Sequence, residues 1–289
     1  MIVKKHERVL IQGITGKQGS FWTKRMQTYG TNVMGGVNPR RAGETACGVP
    51  VYASAVEAAQ DGGFDVSAMF IPPMLAKDAA LDAIKAGAKG IVCLTEHIPV
   101  QDVMYFLAAA REAGTWVIGP NTTGVVTAGE CFVGFMPVFE ERVFQPGDIG
   151  IVSRSGSLGT LVCMKMVEAG FGTSTFVGIG GDPIIGSTTL DALKALDADD
   201  RTKGIVLIGE IGGEMEEAAA EYAEGMKKPI VAFIAGAASP PGKRMGHAGA
   251  IVMGDRGTYQ SKRKALEKAG VIVLDTPSLV GEAMREAMA

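Results

Sequence analysis

A glycine-spaced loop near the start of the chain is the first candidate for chemistry. Gly13, Gly16 and Gly19 follow a short apolar run, 8–12, and precede a helical pattern. Glycine lets a backbone turn sharply and approach a phosphate, and the helix N-terminus then offers N–H groups and a positive dipole. The loop therefore favours an anionic ligand of the nucleotide type, and the alternative is a tight strand-to-helix turn without a ligand.

We do not expect the ligand of this loop to be NAD. A dinucleotide fold commonly places an acidic residue about 20 positions further on, where it binds the ribose hydroxyls. Here the next apolar run ends in Val37, Asn38 and Pro39, followed by Arg40 and Arg41. Two arginines suit an anion such as a ribose phosphate better than a free diol. A solvated surface pair is the alternative.

The second half of the chain offers a histidine, a carboxylate and another possible anion site. His247 lies among small residues, which leaves room for a phosphoryl group, and imidazole is a competent nucleophile. Glu210 ends an apolar run and would fix the ring tautomer if it bonded to the histidine. The run 153–157 opens a helical pattern and suits an anion. The alternatives are a structural histidine, a solvated glutamate and simple helix capping by serine.

Alternating strands and helices have to position these residues. Apolar, β-branched runs alternate with Ala-rich helical patterns through both halves of the chain, which is typical of parallel sheets covered on both faces. The alternation breaks between Thr122 and Gly147. We therefore predict two doubly wound α/β domains, 1–123 and 148–289, joined by a connecting segment, 124–147. Ligands are expected beyond the carboxyl ends of the strands.

Composition limits the class of protein. Forty of the 289 residues are glycine, about twice the usual ~7%, yet 47% are hydrophobic, which argues against a disordered chain. A net charge of −3 gives no sign of a nucleic-acid partner. No apolar run reaches the ~18 residues of a membrane span, and the N-terminus is too polar for a signal peptide. We expect a cytoplasmic protein that binds neither nucleic acid nor a membrane. Its four dispersed cysteines and three histidines predict no metal site.

Eight motifs in one frame resemble the alpha subunit of the succinate–CoA ligase family. They are QGITGKQG at 12–19, GGVNP at 35–39, LTE at 94–96, IGPN at 118–121, GIVSRSG at 150–156, VGIGGDPI at 177–184, IGEIGG at 208–213 and KRMGHAGAI at 243–251. The resemblance extends over essentially the whole chain. It implies an N-terminal Rossmann-like CoA-binding domain and a C-terminal flavodoxin-like ligase domain.

The resemblance also implies roles for individual residues. His247 matches the phosphorylated histidine of the family, and Glu210 matches the carboxylate that orients it. The residues implied to bind phosphate are Ser153, Ser155, Gly156 and Gly181. The residues implied to bind coenzyme A are Thr15, Gly16, Lys17, Gln18, Gly19, Val37, Arg41, Leu94, Thr95 and Glu96, with Arg41 where the family has a lysine.

The family further implies a partner and a reaction in three steps. A separate ATP-grasp β subunit, in an αβ or α2β2 assembly, would bind ATP or GTP with Mg²⁺, and this chain alone would be inactive. The nucleotide would phosphorylate His247, the phosphoryl group would pass to a small carboxylic acid, and the CoA thiol would displace phosphate from the acyl phosphate.

The chain departs from the family at the expected acid pocket. Thr160 stands where the family has a substrate-contacting tyrosine, and Thr122, Thr123 and Gly124 stand where it has Cys-Pro-Gly. Malate, citrate or a sulfonated acid such as sulfoacetate are therefore alternatives to succinate. A CoA-binding protein without ligase activity is a further alternative, and an NAD oxidoreductase is disfavoured by the two arginines.

Overall fold

The computed structural model describes residues 1–240, 242–252 and 256–289, which form two compact units. Unit 1 comprises Met1–Met136 with Ile184–Gly186, and unit 2 comprises Pro137–Pro183 with Ser187–Ala289. Each unit is built around strands that alternate with helices along the chain, so the predicted α/β class is confirmed. The domain limits 1–123 and 148–289 stay a prediction.

Unit 1 has the strand order of a dinucleotide-binding fold. Its strands are β1 (Arg8–Gln12), β2 (Asn32–Val37), β3 (Thr45–Ala46), β4 (Val49–Tyr52), β5 (Val66–Met69), β6 (Gly90–Cys93) and β7 (Trp116–Ile118). The order across the sheet is β3-β4-β2-β1-β5-β6-β7, parallel throughout except for the short β3. The helices between them are α1 (Lys17–Tyr29), α2 (Ala55–Gln60), α3 (Ala76–Lys85) and α4 (Val100–Ala113).

A hairpin follows β7 where we predicted a connecting segment. It consists of β8 (Gly124–Thr127) and β9 (Cys131–Gly134), which pair antiparallel. All eight of these residues are buried, so the alternation of polar and apolar residues that marks a strand with one solvated face is absent. Each strand is only four residues long and no helix separates the two, so the strand–helix alternation that indicates the parallel strands does not mark this hairpin either.

Unit 2 contains a flavodoxin-like arrangement. Its strands are β10 (Pro146–Ser153), β11 (Thr173–Gly178), β12 (Gly204–Glu210), β13 (Ile230–Ala235) and β14 (Ile272–Leu274). They are parallel and lie in the order β14-β13-β12-β10-β11. The helices are α5 (Gly156–Glu168), α6 (Thr189–Asp197), α7 (Met215–Ala223), α8 (Tyr259–Lys268) and α9 (Val280–Met288).

Two further features bear on the predictions from composition. All four cysteines are free thiols; Cys93, Cys131 and Cys163 are buried and Cys47 is half-buried. Among the residues that the structure describes, no helix is long and apolar enough to cross a membrane.

Candidate functional site

A cavity of about 750 Å³ opens at the carboxyl ends of β1, β5 and β6 in unit 1. Seven of the predicted CoA-binding residues line it: Gly16, Lys17, Gln18, Gly19, Leu94, Thr95 and Glu96. The glycine loop and the residues after β6 thus meet at one edge of the sheet. The strand order reverses between β1 and β5, and ligands of such sheets bind at the crevice that this reversal creates.

Two glycines, one in the loop and one in the first turn of α1, let this helix start tightly against the sheet. Gly13 has φ +82°, and a Cβ atom there would lie 2.3 Å from the carbonyl oxygen of Phe70. A Cβ on Gly19 would lie 2.2 Å from the carbonyl oxygen of Gly13. The helix is capped by Gly16 with no side-chain hydrogen bond. Its first backbone N–H groups therefore remain available to an anion in the cavity.

Three predicted CoA-binding residues do not line this cavity. Thr15 Oγ1 accepts a hydrogen bond from Asn38 Nδ2, and Val37 is buried at the end of β2. Arg41 is exposed and forms an ion pair with Glu44 at 2.6 Å. The hydrogen bond and charge of Arg41 lower the pKa of the Glu44 carboxyl. Binding of coenzyme A by Thr15, Val37 and Arg41 stays a prediction.

The apolar walls of the cavity come from residues that sequence reasoning missed. Trp22, Phe135 and the run 70–73 line it. Trp22 lies one helical turn after Gln18, and its Nε1 donates a hydrogen bond to Gln18 Oε1 at 3.2 Å. The helical spacing from Gln18 could have indicated Trp22, and the position of residues 70–73 directly after β5 could have indicated them. A cavity with one polar rim and apolar walls suits a ligand that is part phosphate and part apolar.

His247 and Glu210 form a close pair in unit 2. His247 Nδ1 lies 2.7 Å from Glu210 Oε2, and the glutamate side chain is 8% exposed against 29% for the imidazole. Glu210 is the last residue of β12, so the sheet holds the carboxylate rigidly. With the proton of a neutral ring on Nδ1, Nε2 carries the nucleophilic lone pair.

Arg154 lies on the other oxygen of the same carboxylate. Its Nε is 3.4 Å from Glu210 Oε1, and its side chain is almost completely buried. A guanidinium stays ionised under all ordinary conditions, so Arg154 places a fixed positive charge beside the Glu210 side chain. Sequence reasoning had placed Arg154 only within a possible anion site and missed its contact with Glu210.

Small residues make room for the imidazole ring. A Cβ on Gly181 would lie 2.5 Å from His247 Cγ, and one on Gly249 would lie 2.6 Å from Arg154 Nη2. The Gly249 N–H donates to the Gly181 carbonyl oxygen at 3.1 Å, which ties the histidine segment to the loop after β11. Gly181, predicted to bind phosphate, therefore contacts the ring itself.

The start of α5 lies at the same edge of the sheet. Ser155 is the N-cap residue, and its Oγ accepts a hydrogen bond from the Leu158 N–H. Ser153 Oγ donates to the Ser155 carbonyl oxygen at 2.7 Å. Ser153 ends β10, between β11 and β12, so Gly156 begins a helix whose N-terminus lies on the edge that carries Glu210. Capping and anion binding are compatible, because a cap uses only some of the first N–H groups.

The predicted acid-binding residues make local contacts. Thr160 Oγ1 donates to the Gly156 carbonyl oxygen at 2.9 Å, one turn back in α5. Thr122 Oγ1 accepts from the Gly124 N–H at 2.9 Å. Thr123 Oγ1 is buried without a hydrogen-bond partner in the part of the chain that the structure describes. Gly124 has φ +104° and packs against the Val133 carbonyl oxygen. Their role in binding an acid stays a prediction.

No three His, Cys, Asp or Glu side chains lie close enough to hold a metal ion within residues 1–240, 242–252 and 256–289.

Comparisons with known proteins give both units a counterpart. Residues 4–97 match the family model of the CoA binding domain, and residues 152–272 match that of CoA-ligase. Succinate–CoA ligase [ADP-forming] subunit alpha 2 of Archaeoglobus fulgidus is 48% identical over 99% of both chains. The ADP-forming sulfoacetate-CoA ligase subunit SauD of Bilophila wadsworthia is 42% identical over 99% of this chain and 98% of its own.

A solved structure supports the same comparison. The ATP citrate lyase of Methanothrix soehngenii, in complex with citrate and coenzyme A, aligns over 100% of this chain with a TM-score of 0.90 and 25% identity. This chain spans half the length of that one.

A CoA-binding unit followed by a CoA-ligase unit defines the alpha-type subunit of an NDP-forming acyl-CoA ligase, which is an acid–thiol ligase. The chain belongs to the succinate–CoA ligase alpha subunit family.

Proposed function

We propose that this chain carries a phosphoryl group on His247 during the synthesis of an acyl-CoA. The observation that carries the proposal is the 2.7 Å contact between His247 Nδ1 and the buried carboxylate of Glu210. That contact keeps the proton on Nδ1 and directs the Nε2 lone pair at a phosphorus atom. As Nε2 forms the new bond, positive charge develops on the ring, and Glu210 stabilises it.

Two later transfers complete the proposed reaction. A carboxylate oxygen of the acid attacks the phosphorus, the bond to Nε2 breaks, and an acyl phosphate forms. The CoA sulfur then attacks the acyl carbon, phosphate leaves with the former acyl C–O bond electrons, and the thiol proton passes to solvent. The phosphate-binding residues that we propose are Ser153, Ser155 and Gly156 at the start of α5, because a helix N-terminus stabilises an anion.

Coenzyme A is proposed to occupy the cavity of unit 1. Lys17 and the N–H groups at the start of α1 would hold its phosphates, and the walls around Trp22 would hold its apolar parts. Leu94, Thr95 and Glu96 line the side opposite the glycine loop. Thr15, Val37 and Arg41 remain proposed contacts, although none of them lines the cavity.

We propose that a β subunit supplies the nucleotide. The subunit naming of the relatives supports a partner of this kind. An ATP-grasp partner would bind ATP or GTP with Mg²⁺ and deliver the terminal phosphate to His247 in an αβ or α2β2 assembly.

Succinate is the first candidate for the acid, since relatives at 48% and 49% identity are succinate–CoA ligase subunits. A sulfonated acid is the second, since the sulfoacetate ligase subunit is 42% identical over nearly the whole chain. Thr160, Thr122, Thr123 and Gly124 are the proposed acid-binding positions. The reconstituted pair should be assayed with succinate, malate, citrate and sulfoacetate, and the acid with the highest kcat/KM identifies the substrate.

Phosphorylation of the chain tests the proposal directly. Incubation with the β partner and γ-labelled ATP should give an acid-labile, base-stable phosphoprotein. His247→Asn should abolish the label, and Glu210→Gln should slow labelling about 10²-fold through loss of the charge that stabilises the ring. Full labelling of His247→Asn would refute the proposal. Coenzyme A binding without any labelling would favour a CoA-binding protein without ligase activity.

A further inference from the structure

A completely buried lysine lies behind the Glu210–His247 pair. Lys262 on α8 and Glu216 on α7 are both 0% exposed, and Nζ of the lysine forms an ion pair with Glu216 Oε2. Nζ also donates to the Gly213 carbonyl oxygen at 2.9 Å and to Glu217 Oε2 at 3.2 Å. An ammonium group has three donors, and these contacts account for all of them. Burial of such charges costs free energy of desolvation, so the presence of this ion pair in the interior needs a physical explanation.

The first connection to the site runs through the backbone of Glu210. Glu216 Oε1 accepts a hydrogen bond from the Glu210 N–H at 3.3 Å. The same oxygen would lie 2.6 Å from a Cβ on Gly209, so the carboxylate is pressed against the end of β12. Glu216 thereby fixes the backbone from which the Glu210 side chain reaches His247. Lys262 in turn fixes Glu216 through its other oxygen.

The second connection runs through the loop after β12. Lys262 holds the Gly213 carbonyl oxygen. The neighbouring Gly212, with φ +91°, packs on the segment that carries the histidine: a Cβ there would lie 2.2 Å from the Gly249 carbonyl oxygen. The Gly212 N–H donates to the Gly257 carbonyl oxygen at 2.8 Å, which ties the loop to the residues that precede α8.

We propose that Lys262 and Glu216 are positioning residues for the phosphoryl-accepting histidine. They act through Glu210, which they hold at the distance that keeps the proton of the His247 ring on Nδ1 and the lone pair on Nε2. The proposal rests on the proposed function for its consequence in the reaction. Its effect on the ring tautomer is independent of turnover.

The test compares two substitutions at one position. Glu216→Met has similar volume and no acceptor for the Glu210 N–H, whereas Glu216→Gln keeps one oxygen, for which the Glu210 N–H and the Lys262 ammonium compete. Ring nitrogens of the full chain, labelled with ¹⁵N-histidine, are measured by NMR at alkaline pH, where imidazoles are neutral. The chain has only three histidines, so His247 is assigned with one variant, His247→Asn.

We expect the parent to keep the proton of His247 on Nδ1. In Glu216→Met the population should shift toward the Nε2–H form. Labelling by ATP with the β partner should then be at least tenfold slower, within the range seen when supporting hydrogen bonds are removed. Glu216→Gln, which keeps one of the two acceptor oxygens, should give a tautomer ratio and a labelling rate between those of the parent and Glu216→Met. Affinity for coenzyme A should be unchanged in both variants, since its cavity is built from unit 1.

A double variant separates positioning from folding. Lys262→Met/Glu216→Met removes both buried charges, and such replacements commonly restore or raise stability. We expect a melting temperature near that of the parent together with the shifted tautomer. Arg263→Met is the matched control, because Arg263 is the next residue of α8 and contacts Tyr259, Glu267 and Asp275.

Several results would overturn the proposal. A folded Glu216→Met with the parent tautomer and labelling rate would do so, as would a folded Lys262→Met/Glu216→Met with both. If Glu216→Met does not fold, Lys262→Met/Glu216→Met is measured instead. A parent-like melting temperature together with the parent tautomer in this double variant would show that Lys262 and Glu216 have a purely structural role. Absence of labelling in the parent refutes the proposed function instead and leaves the tautomer result to be judged by itself.

Discussion

At the scale of single residues, a glycine determines the space for the His247 ring. Gly181 has ordinary backbone angles, but a Cβ there would lie within 2.8 Å of three ring atoms of His247. The ring sits between this backbone and the Glu210 carboxylate at 2.7 Å. A methyl group at residue 181 can therefore be accommodated only if the imidazole moves away from its position beside Glu210.

Gly181→Ala is expected to slow labelling of His247 about 10²-fold, because a displacement of about 1 Å costs that much at a reacting centre. Stability should fall by about 1–3 kcal/mol through overpacking. Rates are measured with γ-labelled ATP and the β partner. Gly225→Ala is the control, since a Cβ there meets only the Tyr222 carbonyl oxygen at 3.7 Å. Labelling of Gly181→Ala within twofold of the parent would contradict the prediction.

The sequence and the family resemblance together identified the histidine and its glutamate, but not the charges that support them. Lys262 lies in the helix YQSKRKALEK, where its neighbours are charged and the pattern predicts a solvated face. Arg154 lies within a serine-rich anion motif, which hid its contact with Glu210. Whether a charge is buried depends on what packs over it, and periodicity along one helix carries no information about that.

At the scale of elements, the alternation of strands and helices was accessible from sequence because buried parallel strands are uniformly apolar and their helices are Ala-rich. The apolar run 8–12 that precedes the glycine loop is strand β1. The helical pattern that we expected after the glycine loop begins earlier, at Lys17. Gly19 looked like a loop residue, but it lies in the first turn of α1, where the absence of a Cβ allows close packing on the Gly13 carbonyl oxygen.

One carboxylate joins the starts of three strands in unit 1. Asp65 Oδ2 accepts from the Arg8 N–H at 2.8 Å, and Oδ1 pairs with Lys89 at 2.7 Å. Burial acts to raise the pKa of Asp65, but the hydrogen bonds from Lys89 and Arg8 outweigh it and hold that pKa below its ordinary value. Because this pKa is lower in the folded state, the contribution of ionised Asp65 to the free energy of unfolding is complete above pH ~4. It is lost as the pH falls through the pKa of the folded state.

Asp65→Asn should therefore lower the free energy of unfolding by about 1 kcal/mol near pH 7. The difference from the parent should shrink toward zero below pH ~4, where the parent carboxylate becomes protonated. Urea unfolding between pH 7 and pH 3 measures this, with Glu112→Gln on α4 as the control. A difference that stays constant over that pH range would show that charge is not the cause.

At the scale of the whole molecule, the proposed coenzyme A site and the proposed phosphorylation site belong to different compact units. The cavity proposed for coenzyme A is lined by residues of unit 1, and His247, Glu210 and Arg154 belong to unit 2. The two sites should respond separately to substitution in a binding or labelling assay.

Gly19→Ala is expected to weaken CoA binding at least tenfold, because the new Cβ would lie 2.2 Å from the Gly13 carbonyl oxygen and push α1 off the loop. Labelling of His247 should stay within twofold of the parent. Calorimetry with coenzyme A and labelling with ATP give the two measurements, and Gly181→Ala should show the reverse pattern. Equal loss of both in either variant would show that the two sites are not separable.

The burial of the cysteines has a practical consequence for measuring turnover. Burial raises the pKa of Cys131 and of Cys163 to about 12 and raises that of Cys47 as well, and Cys93 is also buried. Since a disulfide reagent reacts with the thiolate, the native enzyme should contribute at most one slowly reacting sulfhydryl per chain. In the direction of acyl-CoA breakdown, the CoA that is released can therefore be followed continuously with a chromogenic disulfide such as Ellman's reagent, without first denaturing this chain or blocking its thiols.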